Sequence, residues 1–436
     1  MESPRPEIRF ETGITMVDKI IDAARAATAA APPLGNEAYG RFCTGLAHRL
    51  TAAWPRISAA NDTDVGRARE QGLPDVLVDR LRLTREHLAA LVDLTSTVAA
   101  EMRELTTRAP GTPIGDWGVR HRVPRPLGVV LMIFEARPTV TVEGALLNVA
   151  AGNAVVLRGG KEIARTNAAL GAAVTAALAD AELPAGLVTV LDDPSRALLK
   201  ELLRRPDAID VLIPRGSPSL IDYCHRASTI PVLASGGGVN HLYVHRSAEL
   251  AQAVEIALDS KLPAPAGCTS LEIALVDRPV ADEFVAALLD GARRDGRPLT
   301  VRVGAGLRRP ETTGQWRVEE LGEHDYGREF LDSTIGVVAV DSPGEAVEFI
   351  RRHGSGHSEA IAATDPVVTG EFTDRVDAAT IVVNGSLRLN DGPTLELGSE
   401  IAISTSRLHA RGPITLAALV NYSWVVEANG RLREAS

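Results

Sequence analysis

The chain has 436 residues, 45% of them apolar and only 4% aromatic, with a formal net charge of −10. A prior of ~100 to 200 residues per domain points to two or three domains with ample material for large cores of Ala, Val, Leu and Ile, which excludes a disordered chain. The acidic balance argues against a nucleic-acid binder, which needs a basic face, and makes small-molecule chemistry the expectation.

No apolar run approaches the ~18 residues that span a bilayer, and the first residues, MESPRPEIRF, lack a signal peptide's apolar centre. The expectation is a soluble, cytoplasmic protein. Cys43, Cys224 and Cys268 are odd in number and far apart, so neither a disulfide framework nor a metal site is indicated. The only lysines are Lys19, Lys161, Lys200 and Lys261, which singles out each of them.

In chain order, Met16 to Ala31 and Tyr39 to Ala60 carry apolar residues at helical spacing on either side of the breaker PPLG. A further helical stretch, VLVDRLRLTREHLAALVDLTSTVAAEM, contains a helix start at Thr84. Between Pro110 and Pro126 the alternating piece WGVRHRV reads as a hairpin arm. The strands GVVLMIF, NAVVLRGG, VTVL and AIDVLIP then alternate with helical segments, as in a doubly wound parallel sheet. A second α/β region starts near Ala248, with strands at LEIALV, TIGVVAV, AIAAT and TIVVN. The final strand, in TLAALVNYSWVVEANGRL, lacks a partner in sequence and is expected to pair with the arm near Val119.

In SKLPAPAGCTSLEIALV, Cys268 follows two prolines and a glycine just ahead of a strand. It reads either as a nucleophile that carries an acyl group or as a small apolar filler. In AIDVLIPRGSPSLI, Gly216, Ser217 and Pro218 build a helix start at a strand's end, which is either an ordinary cap or an anion site for a cofactor pyrophosphate. LRGGKE offers Arg158, two glycines and Lys161 at another strand end. Neither follows GxGxxG, so a conventional Rossmann dehydrogenase is disfavoured. Three polar segments, GSGHSEAI with His357 and Glu359, VVNGSLRLNDG with Asn384, Ser386 and Arg388, and LHARGP with His409 and Arg411, read as pocket walls or as loop structure.

The ordered series EARPTVTVEGALLNVAAGNAVVLRGGKE, DVLIPRGSPSLI, PAGCTSLEIALV, HGSGHSEAI, VVNGS and ISTSRLHARGP resembles gamma-glutamyl phosphate reductase, also called glutamate-5-semialdehyde dehydrogenase, of the aldehyde dehydrogenase superfamily. The resemblance implies two Rossmann-like doubly wound α/β domains plus a small β oligomerisation arm. These are placed at 1–109 with 125–247 for the cofactor, 248–411 for catalysis, and 110–124 with 412–436 for the arm. It implies a homo-oligomer, NADPH as cofactor and an amino-acid kinase as candidate partner. By the same resemblance Cys268 is the nucleophile and Arg137 binds the oxyanion. Arg158, Lys161, Gly216, Ser217 and Glu329 hold the cofactor, and Thr269, His357, Glu359, Asn384, Ser386, Arg388 and Arg411 lie toward the substrate. The implied reaction reduces L-glutamyl 5-phosphate through a cysteine thioester, in proline biosynthesis.

Hydrolytic relatives resemble one another in carrying a glutamate before a Gly-Gly pair, where VLASGGGVNHLYV has Ala234. Phosphate is therefore the better acyl partner than water. Departures from the family pattern occur at Thr269 (usually Asn), Asn240 (usually Cys), Leu389 (usually Phe) and LELGSE around Glu396 and Ser399. They leave open a paralogue that reduces another acyl phosphate, or a non-catalytic partner of a kinase.

Overall fold

The computed structural model describes residues 15–107, 109–192, 195–234 and 236–433; the stretch MESPRPEIRF lies outside them. Two compact units result: 1–212 with 226–231 and 420–436, and 213–225 with 232–419. The division differs from a cut at residue 247, because the strand containing Asn240 and the helix after Ser217 pack with the second unit.

The first unit begins with helices α1 (Met16–Ala30), α2 (Glu37–Glu70), α3 (Asp75–Leu81) and α4 (Arg85–Thr106). Thr15 and Asp18 form a capping box on α1, and Thr84 with His87 forms one on α4. The helix start at Thr84 splits the long helical stretch in two. The split is held by Asn61 of α2, whose Nδ2 donates to the Leu81 carbonyl at 2.7 Å and whose Oδ1 accepts the Leu83 N–H at 2.8 Å. α2 itself runs ten residues beyond Ala60 and carries Pro55 inside it.

Strands β1 (Thr112–Ile114), β2 (Gly118–Pro126), β3 (Val129–Phe134), β4 (Ala154–Arg158), β5 (Val188–Val190) and β6 (Val211–Arg215) follow, with helices α5 (Val140–Ala150), α6 (Ala164–Asp180) and α7 (Arg196–Leu202) among them. The core sheet has the order β5-β4-β3-β6, with β3 parallel to β4 and β4 parallel to β5. Every residue of β3 is buried, as expected for a strand covered on both faces.

In the second unit, α8 (Pro218–Ala227), β7 (Asn240–Val244), α9 (Leu250–Lys261), β8 (Leu271–Asp277), α10 (Arg278–Arg294), β9 (Leu299–Val303), β10 (Trp316–Glu320), β11 (Thr334–Val340), α11 (Pro343–His353), β12 (Ser358–Ala362), α12 (Pro366–Arg375) and β13 (Thr380–Val383) come in order. Their strands form one parallel sheet, β10-β9-β11-β8-β7-β12-β13. The sequence reading passed over β7, β9 and β10; LTVRV and WRVEE interleave charge with apolar residues, and β10 is an edge strand of the sheet. A small antiparallel pair, β14 (Glu400–Ser404) with β15 (Gly412–Thr415), completes the unit, so residues 412–415 are not part of the arm.

The last strand, β16 (Val420–Glu427), returns to the first unit and pairs antiparallel with β2, with Glu427 opposite Val119 and Val420 opposite Pro126. Tyr422, Trp424 and Val426 are exposed on it, and the Arg122 guanidinium lies 4.0 Å from the Tyr422 ring centroid. Among the described residues no helix is long and apolar enough to cross a membrane.

Asn61 is 1% exposed, so Asn61→Ala leaves a buried N–H and a buried carbonyl without partners. The expected cost is about 1 to 3 kcal/mol in urea unfolding, seen as a lower midpoint with an unchanged slope.

Candidate active site

Cys268 sits at a corner. The Ser270 N–H donates to the Gly267 carbonyl at 3.0 Å, so Cys268 and Thr269 are the central residues of a β-turn. A preceding turn is closed by the Gly267 N–H on the Ala264 carbonyl at 2.9 Å, and the Ser270 hydroxyl donates to the Pro265 carbonyl at 3.1 Å. The proline-rich approach thus ends in a stiff double turn that leaves Cys268 exposed, whereas Cys43 and Cys224 are buried. Desolvation pushes the Cys43 thiol up to about 12, which keeps it protonated and inert.

The turn rests on the residues that lead into β7. A Cβ on Gly238 would run into the Cys268 carbonyl oxygen, so only glycine allows this approach. Asn240, fully buried, donates through Nδ2 to the carbonyls of Cys268 at 2.9 Å and Ser270 at 2.7 Å, and its Oδ1 accepts the Ser358 N–H at 3.1 Å. The Gly238 N–H donates to Glu329 Oε1 at 2.9 Å. A Cβ on Gly237 would stand 3.1 Å from Glu329 Oε2 and 3.2 Å from Pro218 Cγ. The predicted residues Cys268, Thr269, Glu329 and Ser217 are thereby gathered around one backbone segment.

A buried ion pair supports the same loops. Lys261 Nζ lies 3.0 Å from Glu272 Oε2, which also accepts the Phe330 N–H at 2.9 Å. Desolvation raises the Glu272 carboxyl to about 7 and lowers the Lys261 ammonium. The pair joins the entry of the Cys268 loop to the residue after Glu329. Its lysine is one of the four that the composition singles out.

Cys268 precedes β8, Gly238 precedes β7 and Glu329 stands in the loop before β11, so this constellation lies at the amino ends of its parallel strands. The usual rule puts ligands at the carboxyl ends. The first unit follows that rule: Arg137 follows β3, while Arg158 ends β4 and Lys161 lies just beyond it. Glu162 Oε1 accepts the Ala136 N–H at 3.1 Å and ties these two loops together, leaving Arg137 and Lys161 exposed. Gly159 and Gly160 admit no Cβ, because Asn167 and Glu162 fill the space beside them.

Other predicted substrate residues have structural duties. β12 lies between β7 and β13, and His357 and Glu359 are fully enclosed there. Glu359 Oε2 accepts the His241 N–H at 2.9 Å and lies 3.0 Å from its ring Nδ1, and burial raises its carboxyl. His357 pairs with the Ser358 hydroxyl at 2.7 Å, and burial depresses its imidazole to about 4. Asn384 has φ +52° and ties its amide to the N–H and carbonyl of Ala363, both at 2.9 Å, at the carboxyl edge of the sheet away from Cys268. Ser386 accepts the Arg388 N–H at 3.3 Å, Arg388 pairs with Asp259 at 3.1 Å, and Arg411 pairs with Asp377 at 2.6 Å. Among residues the sequence reading passed over, buried Asn390 bridges the Ser358 and Thr380 hydroxyls at 2.8 and 2.9 Å.

The profile described as "Aldehyde dehydrogenase family" matches residues 16–310, and the chain belongs to that family. The acetylating aldehyde dehydrogenase of Geobacillus thermoglucosidasius shares the fold, with TM-score 0.69 at 19% identity over 97% of this chain and 98% of its own. Gamma-glutamyl phosphate reductase of Escherichia fergusonii is 40% identical over 421 residues, 94% of this chain and 98% of that one. The crystal structure of gamma-glutamyl phosphate reductase from Thermotoga maritima gives a TM-score of 0.88 at 30% identity, covering 96% of this chain and all of that one. The chain is a member of the gamma-glutamyl phosphate reductase branch, and thus an oxidoreductase of the phosphorylating aldehyde dehydrogenase kind.

Two outcomes test this geometry. Gly238→Ala must displace the Cys268 turn, and turnover is expected to fall about 100-fold, the scale of a misplacement near 1 Å, in a steady-state assay. His357, held neutral in the folded state, has an imidazole depressed from its ordinary 6.5 to about 4. Its contribution is therefore full above pH 6.5 and is lost as pH falls toward 4. Between pH 7 and pH 5 the wild type should lose about 2 kcal/mol more stability than His357→Asn, measured by urea unfolding.

Proposed function

We propose that this chain reduces L-glutamyl 5-phosphate to L-glutamate 5-semialdehyde with release of phosphate, using NADPH, as a step of proline biosynthesis. The observation that carries the proposal is the exposed Cys268 on a turn pinned by Gly238 and Asn240, in a chain at 40% identity to a gamma-glutamyl phosphate reductase. Cys268 Sγ attacks the acyl carbon, the carbon–oxygen bond to phosphate breaks, and phosphate departs with that electron pair. The acyl group is then held as a thioester. At Ala234, which is buried and whose carbonyl accepts the Thr405 N–H at 3.0 Å, there is no carboxylate to activate water against it. This favours phosphate over water as the acyl partner.

Bound NADPH supplies the hydride that takes the acyl carbon to the aldehyde level. Glu329 suits the nicotinamide ribose: it is half-buried, one oxygen holds the Gly238 N–H, and the other lies beside Gly237. Gly216 and Ser217 offer the start of α8 to the cofactor, and Arg158 and Lys161 offer positive charge at the end of β4. Arg137 is assigned the oxyanion on the family resemblance, together with the main-chain N–H of Cys268. Cys268 is expelled as thiolate when the aldehyde forms.

A kinase acting on a carboxylate makes an acyl phosphate, and such an amino-acid kinase is the candidate partner of this reading. The exposed Tyr422, Trp424 and Val426 on β16 support a homo-oligomer. Cytoplasmic placement goes with the same reading.

The test runs the reaction in the oxidative direction with phosphate, NADP and a panel of semialdehydes. Phosphate-dependent NADP reduction with glutamate semialdehyde is expected, and Cys268→Ala should lose at least about 1,000-fold. Turnover of another semialdehyde alone would move the substrate assignment to a different acyl phosphate. Unchanged activity of the alanine variant would remove the covalent step.

A further inference from the structure

Asn240 uses its whole amide on this site. Its two Nδ2 hydrogens go to the carbonyls of Cys268 and Ser270, and Oδ1 takes the Ser358 N–H. It is the first residue of β7, and the ladder with β8 shifts register at this point: Asn240 pairs with Leu271, but His241 pairs with Ile273. The skipped residue is Glu272, the partner of Lys261. A register irregularity of this kind bends a strand and re-aims a side chain. Here it coincides with the amide that grips the turn. Close by in sequence, Gly238 touches the Cys268 carbonyl from the backbone and gives its N–H to Glu329.

We propose that Asn240 is a positioning residue of the reaction: by holding the carbonyls on either side of Thr269 it fixes the turn that presents the Cys268 thiol, and through Gly238 it keeps that turn in register with Glu329. The idea rests on the proposed role of Cys268. A cysteine there, with its single weak S–H donor, could not bridge two carbonyls as the Asn240 amide does. Asn390 provides the contrast. It is an equally buried amide that also bonds Ser358, through its hydroxyl, yet none of its recorded bonds reaches the nucleophile turn.

The test reads the thiol directly, without substrate or cofactor. Iodoacetamide alkylation of Cys268 in the full chain, followed by mass spectrometry across pH 5 to 10, is compared among wild type, Asn240→Ala and Asn390→Ala. Loss of the clamp should move the alkylation midpoint to higher pH and slow the reaction at pH 7 by about fivefold or more, because the turn no longer holds its dipoles around the thiolate. In steady state, kcat should fall about tenfold or more while the KM values move by less than about threefold. Asn390→Ala should lower Tm to a similar degree and leave the alkylation profile in place. If Asn240→Ala does not fold, Asn240→Ser, which keeps one hydroxyl donor, should show a smaller shift in the same direction. A wild-type alkylation profile in the folded Asn240 variant, or the same shift in Asn390→Ala, would overturn the proposal. Neither result depends on which aldehyde is turned over, so failure here is separable from failure of the substrate assignment.

Discussion

The approach of Gly238 to the carbonyl of Cys268 is the constraint on which the rest of the site depends. Two main chains meet there with no room for a side chain. Because the segment from Gly237 to Val239 leads directly into β7, the Cys268 turn is anchored to the central part of a parallel sheet. Glu329 is tied to the same segment by the Gly238 N–H. A cysteine on a loop is thereby given the precision of a residue on a strand, which a covalent reaction needs when the attacking atom must be placed to within a fraction of an ångström.

The buried charges of the second unit belong to this arrangement. Lys261 with Glu272, and His241 with Glu359, are enclosed pairs, and Asp277 takes the Tyr243 hydroxyl and the Arg246 guanidinium at 2.8 and 2.7 Å. Such groups are costly to desolvate and weak evidence for stability, since apolar residues of the same volume would serve as well. Their geometry supplies another reason for their presence. Each links a strand to a second segment, and His241 directly follows Asn240, which holds the Cys268 turn.

Chemically the site presents an accessible thiol on a held turn, in a chain of the gamma-glutamyl phosphate reductase branch. Glu329 is engaged by the main-chain N–H of Gly238.

Local chemistry determined much of this protein from the sequence alone. The apolar strand runs, the helix caps at Thr84 and Ser217, the stiff Pro-Gly approach to Cys268 and the partnerless last strand are short-range signals, and each describes an element that formed. The ordered motifs were enough to indicate the family. Tertiary structure alone decided which polar residues reach Cys268. Asn240 meets Cys268 across 28 positions, Gly238 meets Glu329 across 91, and Glu359 is consumed by His241 across 118. The polar segments that hold His357, Glu359 and Asn384 read as pocket walls or as loop structure, and the resemblance alone put them toward the substrate. Burial between neighbouring strands, or a left-handed turn at the far edge, is invisible to local pattern. Sequence shows which residues are capable of chemistry, but which of them remain available depends on hydrogen bonds that close only when distant strands lie side by side.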